Sequence, residues 1–109
     1  MSLATIGSGT QSATISTEHT LVTDTTGKTC VLGVDTGAMV NGDVTILRIY
    51  TKMLSGGTER LAYQATFQNV QGVPQKYSVP VPAHYSFKAT LQQTAGTGRS
   101  YPWEVMSVD

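Results

Sequence analysis

Asp35, Thr36 and Gly37 are the residues whose types and spacing most clearly suggest chemistry. Two aspartate carboxylates held ~3 Å apart cannot both ionise, so one keeps its proton and the pair activates a water molecule. In such a loop the threonine hydroxyl braces the turn, and the glycine lets the backbone approach closely. A chain with a single Asp-Thr-Gly must obtain its second aspartate from an identical copy across a two-fold axis. One functional hypothesis is therefore a homodimeric aspartic protease in which Asp35 is catalytic.

The same three residues also have a purely local interpretation. A strand ends at Asp35, the Asp and Thr side chains bond the backbone that follows, and Gly37 supplies unusual dihedral angles. Thr and Gly together account for 28 of the 109 residues, so an Asp-Thr-Gly tripeptide can arise by chance. This interpretation predicts that the Asp35 carboxylate bonds the backbone amides of Gly37 and Ala38. Both interpretations stay open from the sequence alone.

The segment 30–38, CVLGVDTGA, resembles the retropepsin family's pattern of apolar residues before Asp-Thr-Gly-Ala. The resemblance implies that Asp35 would be the catalytic residue. Two departures weigh against it. The family carries a second signature near its C-terminus, and segment 98–100 (Gly-Arg-Ser) lies near that place but follows Gly-Thr instead of a large apolar pair. Segment 101–109 also predicts a strand where the family has a helix.

Other reactive residue types do not form a recognisable site. His19 and His84 are the only histidines, and neither lies in a cluster with metal-ligand spacing. Cys30 is the only cysteine and lies in an apolar segment, which predicts a small buried side chain rather than a disulfide. Segment 96–100 lacks the spacing and lysine of a phosphate-binding loop. We therefore expect no metal and no cofactor.

Composition limits the classes of partner. Charged residues make up only 13% of the chain and balance at 7 basic and 7 acidic, while Thr, Ser and Gln supply much of the polarity. A neutral chain offers no electrostatic reason to bind nucleic acid or an anionic membrane, and it has little charge repulsion against self-association. The sequence shows neither a membrane-spanning apolar stretch nor the pattern of a signal peptide, so intracellular synthesis is expected.

Hydrophobic residues alternate with a period of two along most of the chain, which predicts strands rather than helices. Turn signals separate the strands, including Asn41-Gly42, and a Gly pair at 56–57 predicts a hairpin. The sequence predicts an all-β fold: an antiparallel β-sandwich or jelly roll of about seven to eight short strands, in one domain over 12–109. A flexible N-terminal arm is expected over 1–11. The expected strands are 12–17, 20–24, 29–35, 43–52, 60–70, 76–82, 84–93 and 101–108, with 76–82 at an edge because of its prolines.

Three stretches resemble the small β-rich virion proteins of tailed bacteriophages, especially the decoration (cement) proteins of the capsid. They are ATIGSGTQSATISTEHTLVTDTT, RIYTKMLSGGTERLAYQATF and SFKATLQQTAGTGRSYPWEV. The resemblance implies a non-enzymatic structural protein of the virion, made in the host cytoplasm, that binds and stabilises the head shell. It implies a homo-oligomer whose partner is the major capsid protein or another virion protein. A head-tail connector or a tail subunit is the alternative within the same class.

Four apolar residues are the expected partner contacts. Leu3 and Ile6 are the larger apolar anchors of the N-terminal arm after Met1, and the arm is expected to order on binding. Met53 and Leu54 lie beside the predicted hairpin turn, where they either contact a partner or pack under the turn. These side chains would hold the protein on a larger assembly.

A carbohydrate-binding module is the remaining hypothesis. Aromatic rings can stack on sugars, although packing in the core or at its rim is their commoner role. The sequence offers five tyrosines for this purpose, at positions 50, 63, 77, 85 and 101. The pattern alone does not distinguish a sugar platform from a packed ring.

Overall fold

The computed structural model describes residues 3–108, which form nine β-strands. The strands are β1 (Leu3–Ser12), β2 (Glu18–Asp24), β3 (Thr29–Asp35), β4 (Val44–Thr51), β5 (Arg60–Gln68), β6 (Gln75–Tyr77), β7 (Val81–Pro82), β8 (Phe87–Ala95) and β9 (Ser100–Val108). All their pairings are antiparallel. The first sheet has the order β1-β9-β3-β6, with β7 also paired to β3, and the second has the order β2-β8-β4-β5.

The strand order is that of a jelly roll. Because β6 and β7 both pair with β3, they act as two halves of one interrupted strand. If β6 and β7 are counted as one sixth strand, β8 and β9 become the seventh and eighth, and the two sheets have the orders 1-8-3-6 and 2-7-4-5. The first four strands alternate between the two sheets, and so do the last four. This is the two-sheet, double Greek-key arrangement that defines the jelly roll. The expected all-β antiparallel sandwich or jelly roll is confirmed.

Alternation along the strands builds the core. In β3, Cys30, Leu32 and Val34 point between the sheets and are buried, as the period of two predicts. In β8, Phe87 and Leu91 do the same from the opposite sheet. The buried apolar set is Cys30, Leu32, Val34, Met39, Leu47, Ile49, Val81, Ala83, Phe87, Ala89, Leu91, Tyr101 and Val105. The two sheets therefore share one continuous core.

A buried polar network fixes the end of the sandwich where β4, β8 and β9 meet. The Tyr101 hydroxyl donates to Gln93 Oε1 (2.9 Å) and lies 2.7 Å from the Thr45 hydroxyl. The Gln93 amide nitrogen in turn donates to the Thr97 carbonyl (2.8 Å), and the Arg99 amide donates to Gln93 Oε1 (3.1 Å). Buried polar groups are stable only when paired, so this network specifies the path of the β8–β9 loop.

The N-terminal segment differs from expectation. The arm expected over 1–11 is instead strand β1 from Leu3 onward, paired with β9 from Leu3↔Val108 to Ser12↔Ser100. Its first two residues lie outside the described range. Both glycines lie beside the Trp103 ring, and a Cβ at Gly7 would come within 3.0 Å of Val22 in the opposite sheet, so the absence of a side chain there lets β1 pack closely. A glycine-rich composition thus served close packing rather than flexibility.

Two further predicted strands differ in kind, and the strand predicted over 84–93 is shifted to Phe87–Ala95. The segment 12–17 turns the chain instead of forming a strand, with a Thr17 N–H to Thr14 C=O bond and a positive φ at Ser16. The segment 76–82 is broken into β6 and β7, since proline at 80 and 82 cannot donate to a ladder. The predicted hairpin at 56–57 is confirmed, because β4 and β5 pair directly across it.

Candidate functional site

The Asp-Thr-Gly loop is held by its own backbone. Asp35 Oδ1 accepts a hydrogen bond from the Gly37 amide at 2.8 Å, which is one of the two backbone bonds predicted for this carboxylate. Thr36 is fully buried, and its hydroxyl and its amide both donate to the Pro74 carbonyl, at 2.7 and 2.9 Å. This anchor ties the end of β3 to the start of β6. All three residues of the motif therefore have defined local positions, and Asp35 lies at the surface of the loop.

Asp35 also lies at the margin of a groove on the outer face of the first sheet. The groove has a volume of about 540 Å³ and crosses all four of the sheet's main strands. Its polar rim includes Asp35, Gln75 and Glu104, and Glu104 Oε2 accepts a hydrogen bond from the Thr5 hydroxyl at 2.5 Å. Sequence analysis did not identify this groove, since it depends on which strands are neighbours.

Tyr77 forms one wall of the groove above a glycine. Gly33 and Tyr77 are direct partners across the β3–β6 ladder, and a Cβ at position 33 would lie 3.0 Å from the Tyr77 ring. The ring therefore lies over the glycine backbone, beside Met106, with 63% of the residue exposed. The result is an exposed aromatic surface next to carboxylate and amide groups, which is a suitable arrangement for a polar ring-shaped ligand.

The β4–β5 hairpin tip carries the most exposed apolar side chains of the predicted contact set. Met53 is 87% exposed and Leu54 is 69% exposed, so neither packs under the turn. A hollow of about 580 Å³, lined mainly by apolar surface, lies between them and Leu61 on β5. We use the term hairpin tip for residues 51–62. Gly56, with φ of +76°, reverses the chain there.

The two N-terminal candidates occupy different positions. Leu3 is 63% exposed at the start of β1. Ile6 is partly buried against the core at a register shift between Thr5 and Gly7. Of the two, only Leu3 offers most of its side chain to a partner.

The outer face of the second sheet is crossed by a polar network rather than a groove. Glu18 accepts hydrogen bonds from the Tyr50 and Thr90 hydroxyls, both at 2.6 Å, and lies 3.5 Å from the Arg48 guanidinium. Partial burial raises the pKa of Glu18, but these three partners outweigh it and hold the pKa below its ordinary value. Arg48 also donates to Gln92 at 2.7 Å. Its Nε donates to Gln64 on β5 at 3.0 Å, so the network joins all four strands of this sheet at its surface.

Metal-ligand and nucleophile candidates are dispersed. Within residues 3–108, no group of three or more His, Cys, Asp or Glu could hold a metal ion. His19 Nε2 accepts the Thr14 amide at 2.9 Å in the β1–β2 turn, and the His84 ring lies 4.2 Å from the Tyr85 ring. Burial raises the pKa of Cys30 to about 11, so its thiol stays protonated near neutral pH. Across the same part of the chain there is no helix long and apolar enough to cross a membrane.

The chain matches no protein-family model, no curated protein and no solved structure. A functional conclusion must therefore rest on the surfaces described above. Two regions are distinct in place and chemistry: the groove beside Tyr77, with the Asp-Thr-Gly loop at its margin, and the apolar hairpin tip.

Proposed function

We propose that this protein is a non-enzymatic structural component of a virion, a decoration or cement protein that binds the outside of a phage head and stabilises it. The jelly roll supports the proposal because viral capsid proteins are among the recurrent users of this architecture. A fold alone does not define a function, so the proposal depends on a surface. That surface is the hairpin tip, where the two large apolar side chains of Met53 and Leu54 project into solvent from a turn that is otherwise mainly polar.

The hairpin tip has the properties of a docking element. Burying a Met or Leu side chain that is otherwise exposed contributes about 1.5–3 kcal/mol, so Met53 and Leu54 together can supply a large share of a binding energy. Met also adapts its shape to a partner surface. The tip stands on two long paired strands, β4 and β5, which hold it rigidly against the sandwich. Leu3, exposed at the start of β1, provides a second apolar contact.

Occupancy on viral heads tests this proposal. The double substitution M53S/L54S should lower the amount of protein that co-sediments with heads prepared without it by at least about tenfold. V73S/V79S is the matched control, because it removes two other exposed apolar side chains from a different part of the surface. Control occupancy should stay within about twofold of the wild type. Equal binding by both double variants would contradict the role of the hairpin tip.

The position in the particle distinguishes the decoration role from its alternative. Separated heads and tails from purified virions should contain the protein only in the head fraction, in many copies. Recovery in the tail fraction, or in a few copies at the head-tail junction, would instead support a tail subunit or a connector. Absence from both fractions would contradict a structural role in the virion.

The aspartic protease remains an alternative that a peptide assay can test. It requires the Asp35 carboxylates of two copies to meet across a two-fold axis. Cleavage of a peptide mixture at acidic pH that is lost in Asp35→Asn would support it. Our proposal expects no such cleavage.

Carbohydrate binding is a second candidate function, favoured by the exposed Tyr77 ring in the groove of the first sheet. Lectin domains also use the jelly roll, and sugar rings stack on aromatic faces beside carboxylate and amide groups. A glycan array provides the screen, and Tyr77→Ala should abolish any binding found there. Tyr85→Ala, which alters a tyrosine outside the groove, serves as the control. An array without hits would count against this function.

A further inference from the structure

Strand β5 is an edge with little protection. Native proteins shield edge strands with short length, proline, bulges or charge. Among the described strands, β6 and β7 are short and flanked by proline, while β1 and β2 each carry a register shift. β5 has nine residues, no proline, and no charged residue after Arg60. Its one irregularity lies at its start, where the register with β4 shifts between Leu61 and Tyr63.

The direction of the free backbone groups on β5 follows from one hydrogen bond. The Asn69 amide donates to the Asp43 carbonyl at 2.9 Å, which extends the β4–β5 ladder by one pair. Hydrogen-bonded and non-hydrogen-bonded pairs alternate along an antiparallel ladder. The backbone groups of Phe67, Ala65 and Tyr63 therefore point toward β4. Those of the alternate residues, Gln64, Thr66 and Gln68, point away from it, toward the open edge.

We propose that this edge pairs with the same edge of a second copy of the chain, across a two-fold axis at Ala65. In this register Gln64 of each copy lies opposite Thr66 of the other, so the outward backbone groups of both residues bond each other. Ala65 meets its own mate at the axis, where a small side chain is needed. Tyr63 of each copy then lies opposite Phe67 of the other in a non-hydrogen-bonded pair, in which cross-strand side chains approach most closely.

Neighbouring registers fit less well. Moving the axis to Gln64 places Tyr63 opposite Ala65, and moving it to Thr66 places Tyr63 opposite Asn69, so both lose the aromatic pairs. The register at Ala65 also brings two exposed apolar residues together beyond the ladder. Leu61 (50% exposed) of one copy lies beside the end of β5 in the other, next to Val70 (61% exposed). The Lys76 ammonium lies 5.0 Å from the Phe67 ring centroid.

A second copy is the occupant that this surface fits, because the edge is complementary to itself in backbone bonding, side-chain size and charge. No residue between 61 and 68 is charged, so no like charges on β5 itself oppose each other near the axis. Arg60 is opposite position 70 of the mate and far from the other Arg60. The pairing joins two four-stranded sheets into one continuous sheet. It does not depend on the proposed virion role and requires no capsid for its test.

Charge placed on the outer face tests the register without disturbing the core. Both test variants contain Gln64→Glu. In the wild type the Arg48 Nε donates to Gln64, so the new glutamate faces Arg48 in both variants. Q64E/T66E places two carboxylates opposite each other across the interface, once on each side of the axis. Q64E/T66K differs at one position and places opposite charges there instead. Like charges directly opposite on paired strands are destabilising, and opposite charges are stabilising.

Sedimentation equilibrium over a range of concentrations provides the measurement. We expect the wild type to shift from the 11.6 kDa monomer toward twice that mass, with a dissociation constant on the order of 10–100 µM for so small an interface. Q64E/T66E should raise the dissociation constant at least about tenfold, while Q64E/T66K should stay within about threefold of the wild type. Thr66→Pro, which removes an outward N–H, should be monomeric with an unchanged circular dichroism spectrum.

Three outcomes would overturn the proposal. The first is a wild type that stays monomeric at every concentration up to about ten times the upper expected dissociation constant. The second is a dimer whose dissociation constant responds equally to Q64E/T66E and Q64E/T66K, since its interface would then lie elsewhere. The third is an assembly larger than a dimer that survives Thr66→Pro. Loss of head binding in the separate occupancy assay has no bearing on these results.

Discussion

At the scale of single residues, burial decides what the chemically interesting groups can do. Cys30 has no exposed surface, and burial raises the pKa of its thiol to about 11. At pH 8 only about one thiol in a thousand would be ionised, and the thiolate is the reactive form. A thiol reagent should therefore react with the native protein at least about 100-fold more slowly than with the protein in denaturing urea. Equal rates, followed by absorbance, would show that β3 opens readily.

Asp43 is the residue whose charge contributes most clearly to stability. Burial raises the pKa of Asp43, but the Val40 amide (3.0 Å) and the Arg99 guanidinium (2.9 Å) outweigh it and hold the pKa below its ordinary value of 3.8. A lowered folded-state pKa adds stability at any pH above the unfolded value, and this contribution disappears as the pH falls through the folded-state value. Gly96, with φ of +87°, leaves the space that the Asp43 carboxylate occupies.

Asp43→Asn should therefore lower the free energy of unfolding by about 2–3 kcal/mol at pH 7, since it removes the charged partner of Arg99. The difference from the wild type should narrow as the pH is lowered toward 2. Urea unfolding at several pH values measures both effects. Asp35→Asn is the control and should cost less than about 1 kcal/mol, because Asp35 accepts one hydrogen bond at the surface. A pH-independent difference for Asp43→Asn would contradict this assignment.

At the scale of elements, β1 shows where sequence patterns were sufficient and where they failed. The interior strands were predictable because their side chains alternate, and β3 has the predicted bounds of Thr29–Asp35. β1 has no such alternation, because Gly7 and Gly9 occupy its inward positions beside Trp103. Its partner is β9 at the other end of the chain, so the reason for those glycines is visible only in three dimensions. The groove beside Tyr77 was hidden for the same reason, since Gly33 and Tyr77 are distant in sequence.

The docking of β1 can be tested by comparing two of its apolar residues. Ile6→Ala should lower the free energy of unfolding by about 1–2 kcal/mol, because Ile6 packs partly against the core. Leu3→Ala should change it by less than about 0.5 kcal/mol, since Leu3 is largely exposed. Urea unfolding followed by Trp103 fluorescence measures both. Equal, small effects would indicate that β1 does not pack on the sandwich and that the expected flexible arm is the better description.

At the scale of the whole molecule, the jelly roll makes the chain's two end strands neighbours. β1 pairs along its length with β9, and Leu3 is the partner of Val108. Each sheet thus joins strands from distant parts of the sequence, which slows folding because a large loop must close before the contact is gained. The loop between β5 and β6 is a suitable place to open the chain. It connects the two sheets without joining paired strands, and Gly72 within it is exposed, with open space where a Cβ would lie.

A circular permutant turns this topology into a prediction. A short Gly-Ser linker would join the two chain ends, and new ends would be opened between Gln71 and Gly72. The permutant should fold to the same structure, because Leu3 and Val108 are already partners and the new break does not interrupt a hairpin of paired strands. It should also fold faster than the wild type, by about threefold or more, since β1 and β9 become a local hairpin. Stopped-flow fluorescence of Trp103 measures the rates. A permutant that folds more slowly, at similar stability, would mean that β1 pairs only after the rate-limiting step and that another long-range ladder sets the folding rate.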